Sequence, residues 1–168
     1  MSKGFKGINE ALEPLEEIDI GKLLGKSGMT LARVVPSTMG TIMGTGLMRG
    51  GKALIGKTEV TLSDLTVFFK EFVKGVTERG KAKPGDKTIL DSLHPAVEAL
   101  EDASMKNSSL AIGLSKAYKA AVKGVENTKE MISQHGKAAC FQEKTLGKKD
   151  PGATAAMLFI KGFADYVK

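Results

Sequence analysis

Apolar side chains recur at steps of three and four residues through most of this sequence, and this spacing places them on one face of an α-helix. The clearest stripe consists of Leu62, Leu65, Phe69, Phe72 and Val76. Directly before it, Thr61 and Asp64 match a capping box in which Asp replaces Glu, and Gly80 marks the end of the pattern. No segment shows a convincing strand alternation, so we predict an all-α fold.

Helix breakers and capping residues divide the chain into about seven helices, for which we expect an antiparallel bundle or barrel-like array. The first helix is expected to end near Pro14, and Asp19 is the expected cap of the second. Pro36 breaks that helix, and the next begins at Ser37 and Thr38. The length fits a single domain spanning residues 1–168.

Capping residues and apolar spacing also predict the helices in the second half of the chain. Asp86 is the expected cap of the fifth helix, and Ser108 or Ser109 opens a pattern that runs to about His135. A last helix is expected from Pro151. Its predicted apolar side consists of Ala155, Leu158, Phe159, Phe163 and Tyr166.

Four glycines in the third helix are spaced four apart, as the pairs Gly40 and Gly44, then Gly46 and Gly50. Small residues at this spacing let another backbone or a ligand come close. Tight helix packing and a ligand role both remain open from this pattern.

Composition excludes several classes of protein. The net charge of +6 is interleaved with acidic residues, and two Tyr with no Trp provide no basic and aromatic strip, so we expect no nucleic-acid partner. A single cysteine, Cys140, rules out an intramolecular disulfide framework and favours the reduced cytoplasm. No signal peptide and no apolar run of membrane-spanning length is visible, so we expect no membrane role.

Residues 136–154 (GKAACFQEKTLGKKDPGAT) form a basic segment without a clean period. Lys144 and Lys148 supply positive charge, while Asp150 and Pro151 have the residue types of a helix N-cap and first helical position. A basic loop that leads into a helix N-terminus can hold an anion. An ordinary surface linker with solvated lysines is the alternative.

Sequence motifs of several known chemistries are absent. The chain has no catalytic triad pattern, no His-Glu-x-x-His, no Walker or Rossmann glycine loop, and no Asp-x-Asp pair for magnesium. His94, before Pro95, is more typical of a packed or surface residue than of a ligand.

Three segments together resemble a known family. They are Gly28-Met29 followed by residues 37–40 (STMG), residues 79–91 (RGKAKPGDKTILD), and the basic segment 136–154 with its Asp-Pro-Gly-Ala motif. In this order and spacing they resemble the nucleotide-binding L subunit, or L domain, of dihydroxyacetone kinases, over essentially the whole chain.

The resemblance implies an all-helical barrel that holds ADP or ATP. It implies phosphoryl transfer from the nucleotide to dihydroxyacetone or a related short ketose, which a separate K subunit carries. A phosphotransferase-system protein would rephosphorylate the nucleotide, magnesium would assist the transfer, and a homodimer is left open.

The resemblance also implies site residues. The nucleotide phosphates would be covered by the backbone N–H groups of Ser37, Thr38, Met39 and Gly40. Ile89 would face the base, Lys144 would stand where the family usually has Arg, and Asp150 with Pro151 would line the ribose and base side.

The sequence departs from the family pattern, since the family commonly has Gly-Gly-Ala-Ser-Gly where residues 36–40 are PSTMG, and His where Lys148 stands. Gln142 stands where the family has Gly, which would narrow the base pocket. The family's first helix and acidic magnesium turn are not in this sequence, so we expect an eight-helix barrel without its first helix, truncated at the N-terminus, and an inactive or severely weakened kinase. A non-catalytic helical module that binds a partner or regulates is the alternative function.

Overall fold

The computed structural model describes residues 1–167, which confirm the predicted all-α class: seven α-helices and two 3-10 segments, with no strand in that range. The helices are α1 (Ser2–Leu12), α2 (Ile20–Val34), α3 (Thr38–Lys52), α4 (Leu62–Gly80), α5 (Leu90–Met105), α6 (Leu110–Asn127) and α7 (Pro151–Tyr166). The 3-10 segments are Thr128–Glu130 and Lys137–Thr145. Two compact units result, an N-terminal unit (Met1–Lys81) and a C-terminal unit (Ala82–Lys168). That residues 1–168 form one domain stays a prediction.

Helices α2 and α3 of the N-terminal unit pack antiparallel at very short range. A Cβ on Gly28 would lie 2.5 Å from the carbonyl oxygen of Gly44, and a Cβ on Gly21 would lie 2.6 Å from that of Gly51. The small residues of α3 therefore serve close helix packing, which decides the question that the sequence left open at Gly44.

Helix α4 supplies the large side chains of the same unit. Phe68 and Phe72 are fully buried. A Cβ on Gly50 would approach the ring of Phe68, and a Cβ on Gly46 that of Phe72, to within about 3 Å. The core of this unit is thus built by aromatic rings of α4 that fill the space left by glycines of α3.

The expected helix caps of the N-terminal unit are confirmed. Asp19 accepts the backbone N–H of Lys22 at 3.1 Å, and its other oxygen accepts that of Gly56 at 2.8 Å. Thr61 and Asp64 form the reciprocal capping box at the start of α4. Local sequence was sufficient here because a cap needs only residues within one turn of chain.

We predict that Asp64→Ala lowers the free energy of unfolding by about 1 kcal/mol near pH 6, because the capping box of α4 loses the carboxylate that accepts the N–H of Thr61. The N–H of Thr61, followed by its hydroxyl and Lys57, lowers the pKa of Asp64 to about 2. Because the pKa of Asp64 is lower in the folded than in the unfolded state, its ionised carboxylate stabilises the fold above the unfolded pKa near 4. This contribution is lost as pH falls toward 2. Urea unfolding at pH 6 and pH 3 tests this, with the exposed neighbour variant Ser63→Ala as control. A difference between wild type and Asp64→Ala that does not shrink at pH 3 contradicts the assignment.

Helices α5 and α6 form the antiparallel pair of the C-terminal unit. Gly124 lies so near α5 that an added Cβ would be 2.1 Å from the carbonyl oxygen of Asp91. The hydroxyl of Ser92 donates to the carbonyl of Ala121 at 3.3 Å across the same contact. Of the two serines predicted to open α6, Ser109 is the cap, since its hydroxyl accepts the N–H of Ile112.

Two predicted boundaries in the C-terminal unit are wrong. Asp86 does not cap α5, which begins at Leu90, because the Asp86 carboxylate accepts the N–H of Lys83 and contacts His135 instead. Helix α6 ends at Asn127 rather than near His135. The next residue, Thr128, is buried and commits its hydroxyl to the carbonyl of Val125 and to the N–H of Asp150.

The predicted apolar face of α7 is also wrong. The helix buries Ala153, Ala156, Ile160 and Ala164. Of the face we expected, Leu158 is 56% exposed and Tyr166 is 91% exposed, while Phe159 and Phe163 stack edge to face at the surface margin. Apolar residues lie on nearly every side of α7, so their spacing does not identify the buried face. The face that packs against α6 carries the smaller residues.

None of the helices in residues 1–167 is both long and apolar enough to cross a membrane.

Candidate functional site

The start of α3 presents backbone N–H groups to solvent. Ser37 caps the helix: its hydroxyl accepts the N–H of Gly40 at 3.1 Å, and its carbonyl accepts that of Thr41 at 2.9 Å. Within residues 1–167, the N–H groups of Thr38 and Met39 have no protein acceptor. Ser37 and Thr38 are exposed and Met39 is half-buried, so this helix N-terminus lies at the surface, where an anion can reach it.

Gly40 is required by the tight turn that leads into α3. A Cβ at this position would lie 2.1 Å from the carbonyl oxygen of Val35. Of the four N–H groups that the resemblance assigned to phosphates, that of Gly40 already bonds Ser37. The structure therefore leaves the N–H groups of Thr38 and Met39 as the stronger candidates.

The start of α7 is capped by a buried carboxylate. Asp150 is 7% exposed, accepts the N–H of Ala153 at 2.7 Å, and donates its own N–H to the Thr128 hydroxyl at 2.9 Å. Burial raises the pKa of Asp150 above its usual value, and the two helix N–H groups of Gly152 and Ala153 oppose that shift. The predicted cap and the predicted first helical position, Pro151, are both confirmed.

A buried lysine lies near this carboxylate. Lys87 is 4% exposed, and its ammonium donates to the carbonyl of Met131 at 3.1 Å and to that of Thr145. Burial lowers the pKa of Lys87, while the charge of Asp150 acts in the opposite direction. The sequence analysis did not predict that Lys87 is buried. Local sequence shows only a lysine in a turn, and its burial depends on distant residues.

The turn before α5 is fixed by two carboxylates. Asp91 accepts the N–H groups of Gly85 and Thr88, each at 2.6 Å. Asp86 accepts the N–H of Lys83 at 2.9 Å and contacts the ring of His135 at 2.9 Å. The N–H of Lys83 lowers the pKa of Asp86 the most, and His135 lowers it further. This carboxylate therefore stays ionised well into the acidic range.

The basic segment consists of two short helical turns separated by a kink. Lys144 and Lys148 are exposed and form no ion pair within the described part of the chain, whereas Lys149 pairs with Glu126. At the kink, Gln142 has φ 47° and ψ −127°, a conformation that glycine adopts far more easily. The residue that departs from the family pattern thus occupies the strained position of this segment.

The eight predicted site residues divide between the two units. Ser37, Thr38, Met39 and Gly40 lie together at the start of α3, and Ile89, Lys144, Asp150 and Pro151 lie in the C-terminal unit. Ile89 is 4% exposed and belongs to the core of its unit. The contact of Ile89 with a base, like the other assigned roles, stays a prediction.

A groove of about 380 Å³ lies in the C-terminal unit beside the start of α5. Its lining is Pro84, Gly85, Asp91, His94, Pro95, Ala120, Lys123, Gly124, Asn127 and Met131. None of the eight predicted site residues lines it. His94 is half-exposed and lies 3.4 Å from Glu98, in agreement with a surface residue.

The described residues contain no ready-made cluster of metal ligands. Within residues 1–167, no three or more His, Cys, Asp or Glu side chains come together in a group that could hold a metal. Asp86 and Asp91 accept backbone N–H groups of the turn before α5.

These features define a class of protein: an all-α protein with a free helix N-terminus and unpaired lysines, both suited to an anionic ligand. A family model described as the DAK2 domain matches residues 1–165, and the chain belongs to that family. Over 164 residues it is 35% identical to the PEP-dependent dihydroxyacetone kinase, ADP-binding subunit DhaL, of Escherichia coli (strain K12), covering 98% of this chain and 78% of that protein. That relative is named as a kinase subunit.

Solved structures show the same helical fold. The native dihydroxyacetone kinase of C. freundii matches with a TM-score of 0.65 and 23% identity over 97% of this chain. The same enzyme in complex with AMP-PNP and Mg²⁺ matches with a TM-score of 0.60 and 27% identity over 88% of this chain. This chain spans 28% and 23% of those two kinase chains.

Proposed function

We propose that this chain is the nucleotide-binding subunit of a dihydroxyacetone kinase. It would hold ADP or ATP and serve the transfer of a phosphoryl group to dihydroxyacetone or a related short ketose. The observation that carries the proposal is the start of α3, where the N–H groups of Thr38 and Met39 lack a protein acceptor within residues 1–167. The name of the E. coli relative, an ADP-binding subunit, supports it.

The assigned residues suit a nucleoside diphosphate. Free N–H groups at a helix start favour phosphate oxygens through both hydrogen bonds and the helix dipole. Lys144 is exposed and unpaired in the described chain, so it can neutralise a phosphate charge. By the resemblance to the family, Ile89 would face the base, and Asp150 with Pro151 would line the ribose and base side.

Phosphoryl transfer requires that the negative charge of the phosphates be offset, which magnesium ions would do in this chemistry. Because residues 1–167 contain no carboxylate cluster for such an ion, we assign no step to a metal held by this chain. We therefore expect this chain to be an inactive or severely weakened kinase. A turnover assay with dihydroxyacetone and a K subunit checks this, and full activity contradicts it.

The proposal implies protein partners. A K subunit would carry the ketose, and a phosphotransferase-system protein would rephosphorylate ADP in place. We place the chain in the cytoplasm, and a homodimer is left open. We propose no nucleic-acid partner, because acidic residues interleave with the basic ones.

The test of nucleotide binding uses the first helical residue of α3. Thr38→Pro removes one free N–H while proline remains compatible with this position, and Ser37 already has the extended conformation that a following proline requires. We expect wild type to bind ADP with nanomolar-to-micromolar affinity in the presence of magnesium. Thr38→Pro should weaken binding about 10-fold, the loss expected for one charge-assisted hydrogen bond.

Thr38→Ala is the matched control, since it removes the hydroxyl and keeps the N–H. Its affinity should remain within about 3-fold of wild type, well below the effect of one charged hydrogen bond. Isothermal titration calorimetry measures all three proteins. No heat with wild type would refute the proposal and favour a non-catalytic partner-binding or regulatory module. Equal affinities for wild type and Thr38→Pro would reject the α3 N-terminus as the phosphate site.

A further inference from the structure

Lys87 is a buried cation whose acceptors are both main-chain carbonyls. Its ammonium donates to Met131 at 3.1 Å and to Thr145, residues that lie far along the chain. Burying an ammonium without good partners is very costly, so these carbonyls and the nearby charge of Asp150 are what make the position tenable.

The backbone at Lys87 adds a second observation. Its φ of 59° lies in the left-handed region, which glycine or asparagine occupies at lower cost. Lys87 thus combines an unfavourable backbone conformation with a buried ammonium, whereas Lys81, which also has a positive φ, is exposed.

The two carbonyls bracket the segment from Met131 to Thr145, which carries Lys144 near its end. The segment has few other ties to the turn before α5: the N–H of Gln134 donates to the carbonyl of Asp86 at 3.1 Å, and His135 contacts the Asp86 carboxylate. Within the segment, the N–H of Ser133 donates to the Thr145 hydroxyl at 3.1 Å. Lys87 thus joins the beginning and the end of this exposed segment at one point.

We propose that Lys87 is a positioning residue that closes residues 131–145 into the shape that presents Lys144 and the start of α7 to the ligand. Lys87 does not touch the nucleotide itself, since its ammonium is buried and already donates to two carbonyls. The consequence for affinity rests on the proposed nucleotide-binding function, whereas the closure of the segment does not.

Hydrogen exchange without nucleotide tests the closure directly. Lys87→Met keeps the aliphatic stem and removes the donors, and Lys83→Met, an exposed lysine in the same turn, is the matched control. We expect amide exchange in residues 131–147 to be at least about 10-fold faster in Lys87→Met, because an equilibrium shift of that size follows from losing charged hydrogen bonds. Exchange in α2, α3 and α4 should be unchanged, and Lys83→Met should match wild type throughout. Wild-type protection of residues 131–147 in Lys87→Met would overturn the proposal.

Rescue and nucleotide binding complete the test. Lys87→Arg keeps a cation with several donors, so we expect it to restore protection to within about 3-fold of wild type, and equal loss in Arg and Met variants would overturn the proposal. If Lys87→Met does not fold, Lys87→Gln takes its place with the same expected loss of protection. In calorimetry, Lys87→Met should bind ADP at least about 10-fold more weakly. Lost affinity with intact protection would instead make Lys87 a direct ligand, while a wild type that binds no ADP rejects the proposed function and leaves the exchange result to decide the closure.

Discussion

Replacing Phe68 with alanine is expected to lower the free energy of unfolding by about 4 kcal/mol, the largest effect we predict for a single substitution in this chain. Phe68 is fully buried in the N-terminal unit, where its ring lies edge to face with Phe69 and covers the space above Gly50. The substitution loses the transfer free energy of the ring and leaves a cavity that the helix backbones cannot close.

The control for Phe68→Ala is Val67→Ala on the same helix. Val67 is 44% exposed, so its truncation should change stability by no more than about 0.5 kcal/mol. Urea unfolding followed by circular dichroism measures both variants. A loss below about 2 kcal/mol for Phe68→Ala would mean that the ring is less well packed than its burial indicates.

Replacing Gly124 with alanine is expected to lower the free energy of unfolding by about 3 kcal/mol. The new Cβ would lie 2.1 Å from the carbonyl oxygen of Asp91 and 3.0 Å from the Cα of Ser92, and backbone atoms cannot rotate away as a side chain can. Helices α5 and α6 must therefore separate. The Asp91 carboxylate fixes the turn that contains Lys87, so we also expect weaker nucleotide binding.

Gly162→Ala is the matched control, because it makes the same substitution in helix α7 with no atom within 4 Å of the new Cβ. Since alanine is the better helix former, this variant should be neutral or more stable by up to about 1 kcal/mol. Thermal and urea unfolding compare the two. Equal stability of Gly124→Ala and wild type would show that α5 and α6 are farther apart in solution.

The accuracy of the sequence predictions followed the range of the interactions involved. The caps at Asp19, Thr61, Ser109 and Asp150 were predictable, because each cap bonds N–H groups within three residues of itself. The cap assigned to Asp86 failed because its carboxylate accepts the N–H of Lys83, which precedes it in the turn, and contacts His135, 49 residues away. No local pattern reports the contact with His135.

The candidate site shows the same division. The sequence pointed to the starts of α3 and α7 and to the lysines between residues 136 and 154. It could not show that the N–H of Gly40 already donates to the Ser37 hydroxyl, or that Ile89 is buried in the core. The sequence could not predict the burial of Lys87 either, since an isolated lysine in a turn is almost always solvated.

By itself, the sequence determined the all-α class, the starts of most helices and the resemblance to one kinase family, because helical period, capping and motifs are local properties of the chain. Only the tertiary structure decided which side of α7 is buried, where α6 stops and which glycines admit a neighbouring helix. These outcomes depend on how closely two backbones approach, and the size of the side chains that meet sets that distance rather than their spacing along one helix.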